Sequence, residues 1–537
     1  MAAITIKGFL GENRAVRSTL LPSAVGTISL NQKPGRGDLR PWKNPTTVAT
    51  VPAGRRTIYR MGRDVASDSQ YWLSWPTVVH AVTGLVADDT TERTYYTGDG
   101  APKATNNVLA LSATPYPTAN RPLGIPAPTT KPTITPLAVG SSAVQQTYFY
   151  VYTYVNDWGW ESAPSPPSDA STRKIDGTVT ISDFVAVPAG NYNVTGIRIY
   201  RTQGTSSGAT DFFYLRDVAY SIPTSTTDDN RNLGAALETA TWLPAPADLK
   251  YLTSLWNGML AGISNGAVRF CEPNVPYAWP PTYDVLPPDS KPVALGVFGQ
   301  NLVVLTNNRP IMVVGSTPEA MDSSPIPMSQ ACVAPDSVVS MGSGVAWASE
   351  DGLAWYGDGG PRLLTAGSMT REDWQALVPS SMTGQMYEGL YFGSYDDGGG
   401  RKGFIVDPGN PDSLLFLSTG YSGMHFDELR DQLYVLSGTN VQKWDAGSAM
   451  TYRFRSKRFT MPAPLNFPCA QVVADSYPVT LRVYADGTLR HTEVVASRRG
   501  FRLPSGFRAD EWQIEVEGTP AVESVTLATS MAELSAQ

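Results

Sequence analysis

The side chains that ordinarily do chemistry are few and scattered in this chain. Its three histidines, His80, His425 and His491, and its three cysteines, Cys271, Cys332 and Cys469, lie far apart in sequence. There is no C-x-x-C pair to hold zinc or shuttle electrons, so the cysteines read as small buried hydrophobes. A Ser-His-Asp triad or a histidine-rich metal site has little material to draw on. Cleaving a glycosidic bond takes two carboxylates across a sugar, yet the adjacent acids Asp396-Asp397 and Asp228-Asp229 sit in runs that read as turns, where carboxylates bond the local backbone. Asp396-Asp-Gly-Gly-Gly-Arg401 lacks the acidic alternation and closing Glu of a calcium loop. The expectation is therefore no catalytic, cofactor-binding or metal-binding residues, no cofactor and no enzyme activity.

Four further stretches invite a sharper and a plainer reading. Ser349-Glu-Asp-Gly-Leu-Ala-Trp355 is similar to the aspartate box of sialidase propellers, but it is one residue short and occurs once, and a tight hairpin explains it. Gly35-Arg-Gly-Asp38 contains the tripeptide read by integrins and equally reads as a turn. On a strand, Arg453, Arg455 and Lys457 share one face and Tyr452 and Phe454 the other. That basic face is either solvated or set against an acidic neighbour in the assembled particle. The aromatic run Tyr148 to Tyr154 has the period of one face of a sandwich core, with base or sugar stacking as the alternative.

The elements that must position these residues are strands. At 537 residues the chain exceeds what one core supports, so two to four core-bearing units are expected. Only 17% of residues are charged, while 48 Gly and 43 Pro punctuate short runs of Val, Ile, Tyr, Phe and Trp, which is the strand-and-turn pattern. The formal charge of −7 argues against tight, sequence-independent binding to DNA or RNA, which relies on Lys and Arg neutralising phosphates. The N-terminal residues lack a signal-peptide plan, and no apolar run of about 18 residues is present. Synthesis in the cytoplasm without membrane insertion is the expectation.

From residue 250 onward a repeat emerges. Gly258-Met-Leu-Ala-Gly-Ile, Asn301-Leu-Val-Val-Leu-Thr, Gly344-Val-Ala-Trp-Ala-Ser, Gly389-Leu-Tyr-Phe-Gly-Ser and Gln432-Leu-Tyr-Val-Leu-Ser are spaced by 43, 43, 45 and 43 residues. Each is followed by a polar turn and a second short strand. Hairpins at this period suit the blades of a β-propeller, whose strands are covered on both faces; regular spacing in a sandwich is the alternative. Tyr71–Trp75 and Thr94–Thr97 read as paired strands, so that residues 1–120 contribute a blade and 248–450 the other five. Between them, prolines from 115 to 132 form a stiff linker. Alternating strands then suggest a fibronectin- or immunoglobulin-like β-sandwich inserted at 125–247, without a Cys…Trp…Cys pattern. A C-terminal β module occupies 451–537. The fold class expected is all-β.

The segment Ile28 to Pro45, with the turn Gly37-Asp-Leu-Arg-Pro41, resembles the opening of nozzle (tail tube) proteins of short-tailed bacteriophages. Trp75 to Ala104, including Asp88 to Lys103, also resembles that group, and Tyr150 to Pro167 is similar to the fibronectin-like module of virion components. The resemblance covers roughly residues 20 to 250; the later repeats agree in architecture alone. It implies a structural virion protein of the tail, made in the host cytoplasm, whose copies form a ring, six-fold in such tails. Its partners would be itself, the phage adaptor and portal, and tail fibre proteins. Genomic DNA would pass through the lumen without tight binding, past a wall richer in Asp and Glu than in Lys and Arg. A propeller component that binds or cleaves glycans, and a secreted adhesin, are the other readings. A second acidic pair facing one cleft would favour cleavage.

Overall fold

Runs of β-branched and aromatic residues bounded by Gly, Asn and Asp become short antiparallel strands, as the pleat favours. The computed structural model describes residues 3–62, 65–85, 89–203, 211–229 and 232–535; Asp88 lies outside them. It is all-β, with 45% strand and 6% helix in many small sheets. The chain divides into two units, one of residues Met1–Pro76, Gly296–Met312 and Ser324–Gln537, the other of Thr77–Leu295 and Val313–Ser323.

The five hairpins expected from the repeat are present. Leu260–Ser264 pairs with Ala267–Phe270, Gly344–Ala348 with Leu353–Gly357, Leu390–Asp396 with Arg401–Val406, and Gln432–Ser437 with Asn440–Lys443. Asn301–Thr306 neighbours Ile311–Val314. Leu302, Val303, Val304 and Leu305 are all fully buried, so both faces of that strand are covered. The last hairpin is completed by a strand from the other end of the chain, Thr46–Thr50, which pairs with Asn440–Lys443. No sheet among the described residues closes on itself.

Two expectations about the N-terminal region are corrected. Trp72–Trp75 pairs with Thr57–Arg60, and Thr94–Thr97 lies between His80–Thr83 and Lys103–Thr105 in a separate four-stranded sheet. The break falls where Gly98 adopts φ +103 and packs so close that a Cβ would run into the Val78 carbonyl. Residues 3–30 do not form a blade of their own: they belong to the C-terminal module, and Gly26–Leu30 also joins that module to one repeat sheet by a parallel pairing with Leu415–Leu417, beside Arg401–Val406. Ala3–Lys7 pairs with Val522–Ala528, and Gly26–Leu30 with Tyr452–Ser456. They complete the C-terminal module, whose two sheets enclose Ile4, Ile6, Phe454, Leu481, Ile514 and Leu527.

The described residues of 133–228 form a two-stranded sheet, Gln145–Tyr148 with Ser171–Lys174, and two three-stranded ones. Thr133–Ala138, Thr178–Ser182 and Thr226–Asp228 make one; Tyr150–Asn156, Val194–Thr202 and Phe212–Ala219 make the other. Tyr150, Tyr152 and Tyr154 are buried with Val179, Ile181, Ile197 and Ile199. This core does not end at the expected boundaries near 125 and 247. The same apolar cluster takes in Tyr95, Leu249, Leu252 and Trp279, and Trp160 stacks on Tyr277 with ring centroids 4.9 Å apart. Arg121 adds a tie, lying over Trp158 and pairing with Asp157.

Candidate functional site

Most motifs singled out in the sequence are absorbed by structure. The Ser349–Trp355 stretch is the turn between two strands: the Ser349 hydroxyl donates to the Gly352 carbonyl at 2.8 Å, and Asp351 is paired with Arg371 at 2.9 Å. Asp396 and Asp397 accept backbone N–H groups within their own turn, and Asp397 pairs with Lys402. Asp38 pairs with Arg40, two residues away. The basic strand, expected to face solvent or another subunit, instead meets an acidic neighbour within its own sheet. Arg455 lies opposite Glu515 in the sheet and binds it at 2.6 Å; Arg482, on the other side of Glu515, binds it at 2.8 Å. The three cysteines are buried, and burial raises the thiol of each, Cys271 and Cys332 to about 12.

Asp228 is not a turn residue. It is fully buried at the end of its strand, where one carboxylate oxygen accepts from Arg201 at 2.5 Å, Arg173 at 2.6 Å and the Tyr150 hydroxyl at 2.8 Å. The two guanidinium groups lie over the Tyr148 ring. An ion buried with this many partners holds the sandwich strands in register, since any slip would leave a charge uncompensated. A second cluster does similar work in the other unit. Buried Arg60 pairs with Asp427 at 3.3 Å, and Arg430 reaches the same carboxylate at 2.9 Å. The Arg60 backbone N–H points at His425 Nε2, and burial lowers the pKa of that ring to about 4.

The constellation with chemical potential was not visible in the sequence. The Tyr283 hydroxyl lies 3.0 Å from a carboxylate oxygen of Glu272 and 2.8 Å from one of Glu319. Glu272 follows the strand Ala267–Phe270, while Tyr283 and Glu319 are carried by single 3-10 turns, Pro281–Tyr283 and Pro318–Ala320. Each turn begins on a proline, whose fixed φ suits a helical first position. The loop bearing Glu319 is tied down by Trp256, which donates to the Gly315 carbonyl at 2.7 Å, and by Asn257, which donates to Ser316 at 2.8 Å.

Hydrogen-bond accounting divides the two carboxyl groups. A phenol has one hydrogen to donate, so two carboxylates cannot both accept from it. Burial raises the pKa of Glu272, and the Glu319 charge raises it further; backbone hydrogen bonding and the tyrosine lower that of Glu319. The arrangement is satisfied when Glu272 is protonated and donates to the Tyr283 oxygen, which donates in turn to ionised Glu319. Two carboxyl groups pushed apart in this way can act as acid and base. They are separated in sequence by 47 residues, so no local motif announces them. Among the described residues no group of three or more His, Cys, Asp or Glu is placed to hold a metal ion.

No family model matches this chain, and no curated protein does. Among solved structures, apo AztD from Citrobacter koseri is 12% identical over 70% of this chain and 99% of that one, with a TM-score of 0.28. The AfRom2 CNH domain is 9% identical over 71% and 98%, TM-score 0.26. The extracellular domain of the putative one component system BT4673 from B. thetaiotaomicron is 10% identical over 66% of this chain, which spans 43% of that one, TM-score 0.26. Likenesses at these scores carry no argument about fold or chemistry.

Proposed function

We propose that this chain is a non-enzymatic structural subunit of a short bacteriophage tail, one copy of a nozzle-like ring that conducts the genome. The observation that carries the reading is the pairing of Thr46–Thr50 with Asn440–Lys443. A strand from near one end of the chain completing the last repeat sheet is how a propeller closes its ring and buries its sheet edges. On this reading the sheet of His80–Thr83, Thr94–Thr97, Lys103–Thr105 and Arg121–Pro122 is the first of six blades, and the five hairpin sheets are the rest. The pairing of Tyr150–Asn156 with Val194–Thr202 and Phe212–Ala219 follows the C-F-G order of an immunoglobulin-like sandwich, in keeping with the fibronectin-like module of virion components. The resemblance at Gly37–Pro41 points the same way. Electron microscopy and mass photometry of the purified protein test it: rings of one subunit number support it, and a monomer in every buffer counts against it.

A second reading, a glycan-cleaving tail component, is favoured by the Glu272–Tyr283–Glu319 arrangement alone. It requires that bacterial surface polysaccharide release reducing ends on incubation with the protein, and that Glu272→Gln abolish that release. An intact polymer with wild-type protein retires this reading.

A further inference from the structure

Residues 488–508 stand apart electrostatically. They hold five arginines and one acid, a formal +4 in a chain whose total is −7, which leaves −11 on the remainder. They also sit at a distinctive place in the fold. Thr488–Val495 is the last strand of one sheet of the C-terminal module, and Phe501–Arg502 the last strand of the other. Among the described residues, one short segment thus forms an unpaired edge of both sheets. Arg490, Arg498, Arg499, Arg502 and Arg508 are exposed along it.

Charged residues on an edge are a common guard against unwanted pairing. This edge carries more than a guard, because Leu489 is 47% and Val494 60% exposed beside the arginines. Arginine mixed with exposed aliphatics fits a protein partner, where Arg is enriched and apolar contact forms the centre; a phosphate polymer would leave the aliphatics unused. The same unit displays a surface of opposite sign and matching character. In the turn after Gly423–Asp427, Glu428 and Asp431 are exposed around Leu429, itself 66% exposed. Arg430, between them in sequence, pairs with the buried Asp427 at 2.9 Å, which leaves Glu428 and Asp431 as the exposed charges of the turn.

We infer that the arginine edge of one copy seats on the Glu428–Asp431 turn of the next. Two different, complementary patches make a head-to-tail contact, the kind that propagates into a ring when its rotation closes, and charge complementarity sets its register and salt dependence. The inference rests on the ring reading above and names its interface.

Sedimentation of the full-length protein at low and high salt tests it, using wild type, R498E/R499E/R502E and E428R/D431R, with circular dichroism as the check on folding. Expected are a salt-sensitive wild-type oligomer, loss of the oligomer in each variant, and reassembly when the two variants are mixed in equal amounts, since each then meets its opposite charge. A triple variant that assembles like wild type overturns this interface and leaves the ring reading standing. A wild type that is monomeric at every salt concentration overturns both. Binding of a duplex oligonucleotide at physiological salt by monomeric wild type, lost in R498E/R499E/R502E, assigns the edge to a polyanion and overturns the inference.

Discussion

The repeat hairpins and the Tyr150 sandwich solve the same problem with different chemistry. Leu302 to Leu305, or Gly344 to Ala348, are buried along their whole length and hold their sheets by apolar packing. The sandwich buries charges as well. Asp228 gathers two arginines and a tyrosine, and Glu161 accepts from Thr153, Tyr200 and Arg198 at 2.6 to 2.7 Å. Apolar packing is tolerant of which neighbour fills a space, so it suits a pattern repeated with little shared sequence. A buried ion network is intolerant, because removing one member strands the others. The difference predicts that the two regions fail differently.

The largest effect is expected at Asp228. Asp228→Ala leaves Arg173 and Arg201 buried without their counter-ion and should cost about 3–5 kcal/mol, read as a lower denaturant midpoint for the unit that holds the sandwich. A loss no larger than that of an exposed alanine substitution would show that the network does not set the register. In the repeat region, Leu305→Ala should cost about 2–4 kcal/mol by leaving a cavity, and Leu305→Met, which keeps the volume, less than about 1.5 kcal/mol. Equal losses from the two would break the distinction between tolerant and intolerant cores.

His425 tests the buried charge cluster of the repeat region, where Arg60 and Arg430 meet Asp427. Burial favours its neutral ring, so its contribution is fully present above its unfolded pKa of about 6.5 and is lost as pH falls towards about 4. The wild type should lose about 2 kcal/mol across that window, and His425→Gln should flatten this part of the melting-temperature profile. An unchanged slope would place the acid sensitivity in other groups. The smallest effect is expected at Asp351, half-exposed in its hairpin turn and paired with exposed Arg371. Asp351→Ala should shift stability by less than about 0.5 kcal/mol, and reducing-end release that depended on it would contradict its placement as a turn residue.

The sequence by itself was enough for the local elements. Alternation and turn residues located all five hairpins, because strand period and turn chemistry act over fewer than ten residues. It was also enough to read the Ser349–Trp355 and Asp396–Arg401 stretches as turns. What it could not provide was partnership between distant segments. Ala3–Lys7 reads the same whether it pairs with a blade or with Val522–Ala528. Asp228 next to Asp229 reads as a turn until Arg173 and Arg201 are brought against it. Glu272, Tyr283 and Glu319 form no motif, since they converge only when separate loops fold together. The physical reason is common to all three. The free energy of pairing a strand edge or burying a charge depends on the group brought to it, and tertiary structure alone chose that group.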